Sequence, residues 1–127
     1  MAGNLSDYLE NKLLDHFLGT TSYTMPSTIY IALYTVAPDD TGGGTEVSGG
    51  SYARQTATFD AAASGATQNS ADVDFVDMPA CTVVAIGIHD ALTSGNLLVH
   101  GTLTANKSLD AGDTLRIATG DLDMSLN

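Results

Sequence analysis

Basic residues are scarce in this 127-residue sequence: Lys12, Arg54, Lys107 and Arg116 are the only four, and they are far apart. Neutralising a phosphate backbone takes clustered Lys and Arg, so the composition argues against a nucleic-acid partner. It argues equally against an anionic membrane surface. Tryptophan is absent, which weakens any carbohydrate-stacking surface. The lone Cys81 rules out an intrachain disulfide and has no second cysteine for a metal motif. No apolar run approaches the ~18 residues of a membrane span. The opening "MAGNLSDYLENKLL" lacks a basic region followed by an apolar core, so no signal peptide is expected and cytosolic synthesis is the default. Internal repeats and coiled-coil heptads are missing too, which removes a fibre shaft or solenoid from consideration.

What is present is acid, threonine and glycine. Fifteen acids against four bases give a net charge of −11, and thirteen of the fifteen are Asp, a residue of turns and strand ends rather than helix interiors. Sixteen threonines and thirteen glycines point the same way, to a mainly β chain. A hydrophobic fraction of 43% fits an ordered globular protein, and the length fits a single domain over residues 1–127.

The first element expected is a helix over residues 5–18. Leu5, Leu9, Leu13 and Phe17 recur at four-residue steps, and Tyr8, Leu14 and Leu18 widen the stripe. Asn4 is the first candidate N-cap and Ser6 the second; Gly19 stops the helix. Such a stripe must be covered, by the chain's own sheet or in part by a neighbouring subunit. "TIYIALYTV", residues 28–36, is apolar on both faces and predicts a central strand covered on both sides. Residues 37–51 read as a long surface loop, too polar and glycine-rich to form an element. "YARQTATF" predicts a strand with Arg54 facing away from Ala53, Gln55, Ala57 and Phe59. In the next strand Val73 and Phe75 point inward and Asp72 and Asp74 outward. "CTVVAIGIHD" and "LLVHGTLT" form the clearest hairpin, with Thr82, Val84, Ile86 and Ile88 on one side. "TLRIAT" and "DLDMSL" are the last strands, with Gly120 as the bend or hairpin turn between them and Leu122, Met124 and Leu126 pointing in. Seven or eight strands after one N-terminal α-helix, with no βα alternation, predict an antiparallel β-sandwich or small barrel.

Little in the sequence suggests catalysis. His89 and His100 lie on two arms of one hairpin, but pairing the arms puts His100 opposite about residue 86, and no third ligand has motif spacing. Asp72, Asp74 and Asp77, or Asp39 and Asp40, lack the glycine-centred spacing of a calcium loop, so exposed acids are the simpler reading. "TGGGTE" has no Lys and no strand-to-helix context for phosphate. No nucleophile–base pattern is supported. The expectation is therefore no enzyme, no cofactor and no metal.

"LSDYLENKLLDHFLG", "TIYIALYTVAPDD" and "GTEVSGGSYARQ", continuing through "VAIGIHDALTSGNLLVHGTLT" and "SLDAGDTLRI", resemble a family of small phage and prophage virion proteins, commonly labelled tail fibre or minor tail proteins. The likeness is collinear and runs over most of the chain. One departure is "DMPACTVVAIGIHD", where the family suggests a longer turn before the strand. The resemblance implies a non-enzymatic structural protein of a tailed bacteriophage, associated with the tail or fibre and found in the virion. Two alternatives stand beside it: a capsid decoration or cement protein on the head, and a host-glycan-binding module at the tail tip. The implied partners are other virion proteins (tail or major capsid protein) and further copies of the chain. Candidate contact residues are Leu5, Tyr8 and Leu9 of the helix, the loop from Asp39 and Asp40 to Gly50, and Tyr52 with Arg54. Arg54 poses the sharpest question. Its guanidinium needs a carboxylate, either an Asp of the same chain or an Asp of a neighbouring copy.

Overall fold

The computed structural model describes residues 2–126, with side chains described from Asn4 onward. In chain order the elements are β1 (Ala2–Leu5), α1 (Asp7–Phe17), β2 (Tyr30–Val36), β3 (Thr45–Glu46), β4 (Gln55–Thr56), β5 (Ala66–Gln68), β6 (Val73–Phe75), β7 (Cys81–His89), β8 (Leu97–Leu109), β9 (Leu115–Ile117) and β10 (Asp123–Ser125). Every strand pairing among the described residues is antiparallel. The main sheet has the order β1-β8-β7-β2-β3, with β4 also pairing β2. Two ribbons, β5–β10 and β6–β9, complete the architecture. The expected mainly β fold with one N-terminal helix is present. The main sheet ends at β1 and β3 without closing, so the barrel alternative gives way to layered sheets.

One hydrophobic core lies between the main sheet and the ribbons. Ile31, Leu33, Val83, Ile86 and Ile88 come from the sheet; Val73, Phe75, Leu115 and Leu122 come from the ribbons and the segment leading into β10. β2 is buried on both faces, as its apolar alternation requires. Ile31 and Leu33 face the main core, while Ala32 and Tyr34 form a second cluster with Ala85. Gly87 makes room for that second face. A Cβ there would lie 2.9 Å from both the Tyr34 ring and a Leu97 methyl.

Several expectations shift. The helix starts at Asp7, and its cap is Ser6 rather than Asn4: the Ser6 Oγ accepts from the Leu9 N–H at 3.2 Å. Leu5 therefore belongs to β1, where it pairs with Val99. β1 was not foreseen because four residues show no period that outweighs the adjoining helical stripe. The 37–51 loop contains β3 and the buried Val47. It folds back sharply at Gly44 (φ 71°), where a Cβ would sit 2.6 Å from the Val36 carbonyl oxygen. The 52–59 strand shrinks to Gln55–Thr56. Within the hairpin, Val83 pairs with Lys107 but Ala85 pairs with Thr102, so Val84 alone faces residues 103–106. This bulge reverses the expected alternation: Val83 is in the core, Thr82 is exposed and Val84 joins the second face.

The last two strands do not form a hairpin around Gly120. β9 pairs with β6 and β10 with β5. Asn69, fully buried, decides this. Its side-chain amide donates to the carbonyls of Ala71 (2.8 Å) and Ala118 (3.0 Å), and its oxygen accepts from the N–H groups of Gly120 (3.0 Å) and Leu122 (2.9 Å). A buried amide with all four bonds made fixes the segment against an alternative pairing. Leu122 is buried and Met124 half-buried, whereas Leu126 is exposed rather than inward.

Candidate functional site

Two regions hold the residues singled out in the sequence: a polar cluster on the outer side of β2, and the helix α1.

The polar cluster starts from a gap in the main sheet. β4 pairs with β2 at Tyr30 and Ile31, and β3 pairs at Tyr34 and Val36. Between them Leu33 would lose its backbone partners. Its carbonyl accepts from the Val47 N–H at 2.9 Å, and its N–H donates to the Tyr52 hydroxyl at 3.0 Å. Tyr52 in turn donates to Glu46 Oε2 at 2.7 Å and stacks on Phe75. Arg54 completes the cluster with a two-point bond to Glu46, Nε to Oε2 at 3.0 Å and Nη2 to Oε1 at 2.8 Å. Its Nη1 donates to the carbonyls of Ala91 (2.9 Å) and Ser94 (2.8 Å), tying the β7–β8 turn to the β3–β4 region. Only 8% of the Arg54 side chain is exposed. The carboxylate that Arg54 requires is thus in the same chain, and it is a glutamate, one of only two in the sequence, not an aspartate.

The electrostatics follow from this packing. Burial opposes the Glu46 charge, but the bonds from Arg54 and Tyr52 and the Arg54 charge outweigh it and hold the carboxyl below its usual range. Burial, together with Glu46, pushes the Tyr52 phenol well up. Nearby, Tyr34 and His89 meet through the phenol oxygen and Nε2 at 2.7 Å. Burial and the adjacent Arg54 charge push His89 down to about 4, so the ring is neutral at pH 7.

The expected loop contacts are also used internally. Asp39 Oδ1 accepts from the Thr41 N–H (2.9 Å) and hydroxyl (2.7 Å), which closes its own turn. Asp40 accepts from the Asp7 N–H through its carbonyl (2.9 Å) and meets His100 Nε2 through its side chain (2.8 Å). The long loop therefore anchors the start of α1. His100 lies opposite Gly87, one residue from the expected register, and the two hairpin histidines face different partners. Asp72 and Asp74 hold Arg116, and Asp77 accepts from the Ser51 hydroxyl. Among the described residues no group of three His, Cys, Asp or Glu is placed to hold a metal ion.

α1 is the opposite case. Its first turn is fixed: Ser6 donates its hydroxyl to the Leu97 carbonyl (2.5 Å) and its N–H to the Leu98 carbonyl (2.8 Å), and Tyr8 and Leu9 pack against the core. Beyond that the helix is barely covered. None of its residues is buried; Leu14 is 49% exposed, Phe17 68% and the C-capping Leu18 68%. A groove of about 540 Å³ runs between α1 and the β5–β10 ribbon, walled by Leu5, Leu9, Leu13, Val99, Met124 and Leu126. Sequence reasoning named Leu5, Tyr8 and Leu9 but not this second wall, because Leu126 was assigned to the interior.

The family model of the podophage GP4 fibre I protein gp80 matches residues 4–125. The chain belongs to that family. The match spans both the polar cluster and the helix, so the family membership covers the whole architecture and agrees with the resemblance carried by the sequence segments. No curated protein matches the chain. A phage fibre family is one of structural tail components associated with the virion.

Proposed function

We propose that this member of the fibre I family is a non-enzymatic structural component of the phage tail, acting by surface packing against other virion proteins. The observation that carries the proposal is the uncovered apolar end of α1 in a chain of a phage fibre family. Soluble chains rarely leave a contiguous apolar stripe open unless something docks there. The residues most suited to chemistry support a structural role, since Arg54, Glu46, Asp39, Asp40 and His89 all bond within the chain. Of the expected contacts, Leu5, Tyr8 and Leu9 remain at the proposed surface. Tyr52, Arg54, Asp39 and Asp40 act by shaping what stands next to it. Synthesis in the host cytoplasm followed by incorporation into the particle completes the reading.

Immunogold labelling of purified particles tests it. Gold at the tail is expected. Gold over the head would replace the proposal with the capsid-decoration alternative. Binding of the isolated protein on a glycan array would instead favour a receptor-binding module.

A further inference from the structure

We infer that the groove between α1 and the β5–β10 ribbon receives a basic, amphipathic segment of a different virion protein rather than a second copy of this chain. This rests on the tail-component reading and names the partner of the same surface. The groove's apolar walls end in open ground: Leu126 is 65% exposed, and Phe17, one turn beyond Leu13 on the same helix face, is 68% exposed. An apolar strip therefore continues from the groove to the tip of the helix. Helix-in-groove or strand-in-groove partners recognise such strips with large side chains at regular spacing.

Charge decides between occupants. Among the described residues no Lys or Arg lines the groove. The adjoining hollow shares Ala66, Thr67, Met124 and Ser125 with the groove and adds Asp60. Glu10 precedes Leu13, Leu14 and Phe17 by three, four and seven residues, which sets it along the exposed stripe. The flanking field is negative, so a partner gains by bringing Lys or Arg beside its apolar anchors.

A second copy has few bases to offer. Its net charge is −11, and of its four bases Arg54 is buried on Glu46, Arg116 holds Asp72 and Asp74, and Lys12 lies over the Tyr8 ring. Among the described residues that leaves Lys107, on β8 beside a different groove. Self-docking here would set acid against acid.

The test places a photoreactive p-benzoylphenylalanine at position 17 of the full chain in phage-infected cells, then irradiates purified particles and maps the cross-links by mass spectrometry. The expected product joins residue 17 to a peptide of another virion protein, with Lys or Arg flanking apolar residues. Cross-links to this chain itself, to an acidic segment, or none at all would overturn the inference while leaving the tail-component reading intact. Absence of the chain from particles would sink both. In parallel, the double variant Leu13→Asp with Phe17→Asp should lower the copies per particle at least about tenfold with the melting temperature nearly unchanged. Glu10→Lys, which leaves the apolar walls in place, should lower incorporation several-fold. Wild-type incorporation of either variant would count against the inference.

Discussion

Arg54 and Phe17 occupy one small chain, yet the charged side chain is 8% exposed and the aromatic residue 68%. Arg54 can be buried because each of its three nitrogens finds an acceptor: the Glu46 carboxylate and the Ala91 and Ser94 carbonyls. Phe17 stays in solvent because α1, anchored at Ser6 and Asp40, outruns the sheet that covers its first turn. For these two residues burial follows which group can complete its interactions within the chain, not which is apolar. The polar cluster ties distant segments together, and the apolar helix end stays exposed.

Removing one partner of the buried pair should break this contrast most strongly. Glu46→Ala leaves the Arg54 charge buried and unpaired, and should cost about 3 kcal/mol in urea denaturation. A loss below about 1 kcal/mol would put the pair among ordinary surface bridges and erase the distinction between the two regions.

The next effect is one of pH. His89 titrates near 4 in the folded chain against an ordinary value of 6.5, because burial and Arg54 disfavour its charged form. Between those values the unfolded chain binds the proton and the folded chain does not. Stability is therefore fully present above about pH 7, falls as pH drops from about 6.5 to 4, and loses at most about 3 kcal/mol across that window. Melting curves of wild type and His89→Gln, compared over this range, should diverge at high pH and converge at low pH. Parallel curves would show that the ring does not titrate as its surroundings imply. Glu46, held below its usual range, adds its own loss of stability at still lower pH.

At the other extreme, Phe17→Ser should change folding stability by no more than about 0.5 kcal/mol, since it removes no buried contact. A larger loss would mean that the helix tip packs within the chain, and the contact surface would have to be sought elsewhere.

Much of the fold was legible because it is written locally. The apolar pattern in residues 30–36 reports a strand buried on both faces, and the four-residue stripe reports the helix α1, though not how little of it is covered. The Asp72–Asp74 alternation likewise revealed its wet face, which meets Arg116. The same local reading misassigned Leu126 and left the β9–β10 connection open between a bend and a hairpin, which Asn69, some fifty residues earlier, settles by taking the backbone bonds a hairpin would have used. It also read a full strand through residues 52–59, where only Gln55–Thr56 is extended into the sheet.

The sequence by itself determined the β class, the single amphipathic helix, the absence of a basic surface and the likeness to a phage virion family. Each depends on composition or on neighbours within a few residues. Only the tertiary structure decided that Glu46 neutralises Arg54, that the Tyr52 hydroxyl fills the gap beside Leu33, and that α1 extends past its sheet. Those outcomes depend on which distant backbone groups and side chains come within hydrogen-bonding distance, and no local period encodes that.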